Sequence, residues 1–329
     1  MSSHETVGVL GAGAWGTALA QVLAGHGHTV RLWAREQDVV DSINARHVND
    51  LFLPDIPLDA GIVATNAIGD LSDCPVILVV APAQHVRATL AALASPDAIL
   101  VLCAKGIEAG SGALVSDIAR EICPHNPLAV LSGPTFAHEV AAGSPAAVTL
   151  ACESEAVWDR LSPIIAGPRF RTYYSDDIVG AEIGGAVKNV LAIACGVVDG
   201  AGLGLNARAA LISRGFAEMQ RFGIAKGAQP DTLAGLSGLG DLVLTCSSDN
   251  SRNFSLGRGL GQGRAAAELL GDRRTVAEGA FTAPVLEEAA RKLQVDMPIV
   301  SAVCRLLDGT MQTADVVTAL MARPLKAER

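Results

Sequence analysis

At 329 residues, with 50% hydrophobic and 18% charged side chains, the chain is too apolar for a disordered protein and too long for one ordinary hydrophobic core, so two domains are expected. A formal net charge of −9 and a pI near 5.3 argue against nucleic acid and membrane surfaces as partners, and an anionic substrate would need a local cluster of Lys and Arg. The seven cysteines are odd in number, lack a CxxC pair and sit mostly in apolar runs, which favours reduced, buried thiols in the cytoplasm over disulfides.

In chain order, the first elements are a short apolar strand at Val7–Leu10, a glycine turn, a helix from Ala14 to Gly25 and a second strand at Thr29–Trp33. Further apolar runs follow at Val76–Val80, Ile99–Cys103, Ala129–Leu131 and Ala147–Ala151. Segments of helical length and composition, such as Gln84–Leu93 and Leu114–Ile122, separate them. Continuous Val, Ile and Leu runs between helices predict a mostly parallel sheet covered on both faces. After Tyr174 the pattern turns helical, with stretches at Val179–Val198, Ala207–Phe222, Phe281–Leu293 and Ala314–Met321. The fold class expected is therefore α/β of the Rossmann type over residues 1–177, followed by an all-α domain over residues 178–329. No apolar run reaches the roughly 18 uninterrupted residues of a membrane span, and no signal segment opens the chain, so no membrane insertion is expected.

The string Gly11-Ala12-Gly13-Ala14-Trp15-Gly16 satisfies GxGxxG in the required context, after a strand and opening a helix. There glycines permit the tight turn and the close approach of a pyrophosphate to the helix N-terminus. A carboxylate for the adenosine ribose is absent at the end of the second strand, which reads Trp33-Ala34-Arg35-Glu36. Arg35 can pair with a 2′-phosphate, so NADP(H), or tolerance of both NAD(H) and NADP(H), is expected.

Lys105 follows the strand at Ile99–Cys103, where open parallel sheets line their ligand crevice, but a surface lysine at that place is equally common. Lys188 lies in a helix apolar nearly all round, with no acid at i±3 or i±4. An unpaired buried ammonium either snorkels or has a lowered pKa suited to proton transfer, and the second reading is favoured. All seven histidines precede residue 139 and no Cys/His zinc spacing occurs, so lysine is the preferred base and no metal is expected. Ser251, Arg252 and Asn253 are suitable donors to a phosphate, although turn and cap chemistry uses the same residues.

Together the strings GAGAWGTALA at 11–20, CAKGIE at 103–108, SGPTFAHE at 132–139, EIGGAVKN at 182–189, NARAALISRG at 206–215, GLGDLVLTC at 238–246 and SRN at 251–253 resemble the bacterial-type NAD(P)-dependent glycerol-3-phosphate dehydrogenase family. The match runs in order over nearly the whole chain. The resemblance implies reversible reduction of dihydroxyacetone phosphate to sn-glycerol 3-phosphate for phospholipid synthesis, in a cytoplasmic homodimer. It implies a helical domain like the C-terminal domain of 6-phosphogluconate dehydrogenase.

Carried over by position, Lys188 would transfer the proton, and Lys105, Gly133, Thr135, Asp241, Ser251, Arg252 and Asn253 would contact substrate. Cofactor contacts would fall on the glycine turn with Ala14 and Trp15, and on Arg35, Lys105, Ala137, Arg252, Val276 and Glu278. Ala14 departs from the serine of many members, leaving the backbone to hold the cofactor phosphate there. A 3-hydroxyacid or 6-phosphogluconate dehydrogenase would place asparagine four residues after the lysine, whereas position 192 is alanine and Asn189 follows Lys188 directly. A non-catalytic NAD(P)-sensing protein should have lost Lys188 or the phosphate-binding set, and both are present.

Overall fold

The computed structural model describes residues 4–93, 97–271 and 277–316. Its first half runs β1 (Thr6–Leu10), α1 (Ala14–Gly25), β2 (Thr29–Trp33), α2 (Gln37–Arg46), β3 (Ile62–Thr65), β4 (Val76–Val79), α3 (Val86–Ala92), β5 (Ile99–Leu102), α4 (Val115–Ile122), β6 (Leu128–Ser132), α5 (Ala137–Ala141), β7 (Ala146–Cys152), α6 (Glu155–Ile165) and β8 (Phe170–Ser175). These strands form one eight-stranded sheet in the order β3-β2-β1-β4-β5-β6-β7-β8. Every pairing is parallel except β6 with β7.

The central strands are apolar on both faces because helices cover both. In β4 all four residues are fully buried, Val76 and Leu78 in the core on one side, Ile77 and Val79 in the core on the other. Each such side chain contributes about 1.5–3 kcal/mol by leaving water. Of the two edge strands, β8 shows no apolar run and β3 only the short Ile62-Val63-Ala64. Only alternate residues turn inward there: Ile62 and Ala64 in β3, Phe170 and Thr172 in β8 are buried, while Val63, Arg171 and Tyr173 are exposed. Chain order reverses at β1, which lies between β2 and β4, and this switch opens a crevice at the carboxyl ends of the strands.

The second half is helical: α7 (Ile178–Gly200), α8 (Gly204–Ala225), α9 (Pro230–Ala234), a π-helical turn at Leu236–Gly240, α10 (Asp241–Thr245), α11 (Arg252–Gly261), α12 (Ala266–Leu270), α13 (Glu278–Lys292) and α14 (Pro298–Leu307). Of the helix expected at Ala314–Met321, the part from 317 lies outside the described residues. The helical half packs around α7, and α11 meets it backbone to backbone. A Cβ at Gly196 would stand 2.0 Å from the Phe254 carbonyl oxygen, and one at Gly257 1.9 Å from that of Ile193, so both positions exclude any side chain. By length and a mean hydropathy of 1.5, α7 could cross a membrane, an option that counting uninterrupted apolar runs does not register. Its apolar window is 94% buried within the protein.

Two buried carboxylates tie the halves and the helices together. Glu182 of α7 accepts from the Ser116 backbone N–H (2.8 Å) and hydroxyl (2.5 Å) in the first turn of α4. Glu218 of α8 accepts from Ile299 and Val300 N–H at the start of α14. Burial pushes both carboxyls up to about 7.

Candidate active site

At one end of the crevice the glycine turn closes between β1 and α1. Gly11 takes φ +126°, a region that side chains rarely enter, and its N–H donates to the Trp33 carbonyl of β2 at 3.1 Å. A Cβ on Gly16 would stand 1.8 Å from the Gly11 carbonyl oxygen, so only glycine lets α1 start this close to the strand. At Gly13 an added Cβ would meet nothing within 4 Å, and no side chain caps the N-terminus of α1. The first N–H groups of α1, including those of Ala14 and Trp15, are therefore left without a side-chain cap beside open space, a positive helix start of the kind that binds phosphate groups. The Trp15 indole N–H is buried without a partner among the described residues, which fits a bound acceptor beside it.

Asn49, fully buried, secures the turn by donating to the Ala12 carbonyl (2.9 Å) and the Thr17 hydroxyl (2.8 Å). Sequence reasoning passed over it, since an asparagine in the connection between α2 and β3 reads as a loop residue. Arg35, just beyond β2, is exposed and ion-paired with Glu36 at 2.7 Å.

At the other end the centre is made of side chains. Lys188, on the buried helix α7, donates to Asp241 Oδ1 at 2.6 Å and to Thr245 Oγ1 at 2.8 Å. Lys105, three residues beyond β5, donates to Asp241 Oδ2 at 2.7 Å and to the Gly133 carbonyl at 3.2 Å. Asp241 is fully buried and thus bridges two ammonium groups, one per carboxylate oxygen. The expectation of an acid-free surrounding for Lys188 holds along its own helix only; the partner arrives from α10. Thr245 was also missed, though it lies one turn after Asp241 on the same face of α10, a signal the i, i+4 spacing carries.

Burial brings Lys188 down to about 8; Asp241 opposes that shift and Lys105 reinforces it. Thr135 donates to the Gly133 carbonyl at 3.2 Å, which places it beside Lys105. Glu278 opens α13, and burial raises its carboxyl against the pull of Arg252, Lys105 and Lys188.

Asn253 is engaged within the protein: its amide donates to Asn189 Oδ1 and its oxygen accepts from Gly279 N–H, joining α7, α11 and α13. Ser251 caps α11 through the Phe254 N–H, while Arg252 stands exposed at the same helix start. Ala137, the first residue of α5, is half-buried against the sheet core, and Val276 lies outside the described residues. Lys105, Lys188, Asp241 and Gly133 are thus bonded into one cluster, with Arg252 and Glu278 within its field. The glycine turn and Arg35 form a separate group.

Residues 6–158 match the family described as NAD-dependent glycerol-3-phosphate dehydrogenase N-terminus, and residues 177–318 the corresponding C-terminus. The glycerol-3-phosphate dehydrogenase [NAD(P)+] of Erythrobacter litoralis is 64% identical over 98% of this chain and 97% of the relative. That of Caulobacter vibrioides is 55% identical over 99% of both chains. Among solved structures, glycerol-3-phosphate dehydrogenase of Coxiella burnetii superposes with a TM-score of 0.93 at 38% identity, covering 97% of this chain and 99% of the other.

Proposed function

Because the chain belongs to the NAD-dependent glycerol-3-phosphate dehydrogenase family, we propose that residues 1–177 form its NAD(P)-binding domain and residues 178–329 its substrate-binding and catalytic domain. The protein is an NAD(P)-dependent oxidoreductase that interconverts dihydroxyacetone phosphate and sn-glycerol 3-phosphate. The bound nicotinamide supplies the hydride in one direction and accepts it in the other. The observation that carries the residue assignment is the Lys105–Asp241–Lys188 bridge at the carboxyl end of β5.

In ketone reduction the Lys188 ammonium donates a proton to the oxygen that becomes the C2 hydroxyl. In oxidation the neutral amine takes it back. Asp241 holds Lys188 in place, and Lys105 eases release of its proton by like-charge repulsion. Thr245 fixes the direction of the Lys188 amine. Arg252, exposed at the start of α11, pairs with the substrate phosphate, and the Ser251 hydroxyl adds a donor; Asn253 braces that helix start through Asn189 and Gly279 and keeps a second amide N–H to offer the phosphate. The N-terminus of α1 would hold the cofactor pyrophosphate, with Trp15 as an extra donor and Arg35 toward the adenosine end; Ala137, Glu278 and, by sequence position alone, Val276 would be further cofactor contacts.

The burial of α7 fits the core helix of a soluble protein rather than a membrane span, and exposed Leu203, Leu205 and Ile224 on the helical half support a homodimer. The test is NADPH absorbance with dihydroxyacetone phosphate against unphosphorylated dihydroxyacetone. Turnover with the phosphorylated ketone is expected, and absence of turnover would overturn the reading. Arg252→Ala should raise the KM for dihydroxyacetone phosphate about tenfold or more, in line with loss of a charge-assisted bond. An unchanged KM would remove Arg252 from the phosphate site.

A further inference from the structure

Glu36 is positioned to set how strongly the enzyme prefers one nicotinamide cofactor over the other. The end of β2 is tied to the glycine turn through Gly11 N–H and the Trp33 carbonyl, and to β3 through Ala34 N–H and the Thr65 carbonyl at 2.9 Å. Arg35 and Glu36 are therefore fixed at the mouth of the dinucleotide crevice. The backbone of Glu36 is committed as the N-cap of α2, its carbonyl accepting from Val39 and Val40. Its side chain turns back on Arg35, and a single oxygen, Oε1, takes both the Nε (3.0 Å) and Nη2 (2.7 Å) donors. The next polar side chain, Gln37, is spent on Asp41 and Asn66, so it offers Arg35 no competing acceptor.

We propose that Glu36 is a specificity-determining residue that restrains NADP(H) binding by occupying Arg35 and by repelling a 2′-phosphate, while leaving NAD(H) binding nearly untouched. This rests on the assignment of Arg35 to the adenosine end. A 2′-phosphate must take the guanidinium fork from Oε1 and stand beside a carboxylate of like charge. A ribose 2′-hydroxyl meets neither obstacle, since it can donate to Oε2, which no described residue engages. Both cofactors are then tolerated, with the Arg35–Glu36 balance deciding their ratio.

Calorimetric titration of ADP-ribose and its 2′-phosphate tests this without turnover, on the native protein, Glu36→Gln, Arg35→Ala and the double variant. Glu36→Gln should tighten the 2′-phosphate ligand roughly three- to tenfold and change ADP-ribose by less than about twofold, an effect that shrinks in high salt. Arg35→Ala should weaken only the 2′-phosphate ligand, and adding Glu36→Gln to it should recover less than the single substitution gains. If Arg35→Ala discriminates and Glu36→Gln does not, Glu36 is a bystander and the proposal falls alone. If Arg35→Ala changes neither ligand, the assignment of Arg35 falls, and the proposal with it.

Discussion

At the glycine turn the groups offered to a ligand are backbone N–H groups at the uncapped start of α1, whereas at the lysine centre every reactive group is a side chain locked to a buried carboxylate. The helix starts show the same division. Glu182 plugs the start of α4 and Glu218 that of α14, while no side chain caps α1, where the cofactor pyrophosphate is proposed to bind. A binding site made of backbone tolerates no added atom; a catalytic site made of side chains tolerates no removed one. Each kind should therefore fail in its own way.

The largest expected effect is at the centre. Lys188→Ala should lower turnover by roughly 10²–10⁴ while leaving the Kd for NADPH near its native value, measured by stopped-flow and by fluorescence titration. Equal loss of both would make Lys188 a structural residue and dissolve the contrast. With its pKa at about 8, Lys188 is charged below that value. Ketone reduction should decline as pH rises through 8, and alcohol oxidation should decline as pH falls through it; parallel profiles in the two directions would exclude it as the proton carrier.

Next in size, Gly16→Ala places a methyl 1.8 Å from the Gly11 oxygen and must push α1 off β1. NADPH affinity should fall at least about tenfold, with a stability loss of about 1–3 kcal/mol. Unimpaired binding would show that the cradle is not built from this turn.

The smallest effect concerns a plugged helix start. The Glu218 carboxyl rises from 4.5 to about 7, so its contribution to stability is complete below 4.5 and is lost as pH rises through 7. Glu218→Gln keeps an acceptor for Ile299 without the buried charge. Its melting temperature relative to native should climb between pH 5 and 8, whereas a constant offset would indicate that the Glu218 carboxyl is already ionised in the folded state across that range and is not raised.

The legibility of these features follows the same division. The turn and the inner strands were readable because their cause is local: a glycine spacing between a strand and a helix, and apolar runs buried on both sides. The edge strands were not: the polar outward face of β8 breaks its run and β3 offers only Ile62-Val63-Ala64, and the antiparallel β7 carries the same apolar string as a parallel strand would. Lys188 stood out as a charge in an apolar helix, but its partner Asp241 lies 53 positions away, and no periodicity reaches that far. Arg35 was legible as a cation; that its neighbour Glu36 holds it was visible only in the side-chain geometry.

The close seam between α7 and α11 has a consequence for the chain while it is being made. The 23-residue helix α7 leaves the ribosome before the residues that will cover it, and its glycine face cannot be sealed until Gly257 and its neighbours have been added. At roughly 5–20 residues per second, that leaves a membrane-length apolar segment uncovered for several seconds. Until then the apolar faces of the helix that carries Lys188 have no partner from this seam to cover them.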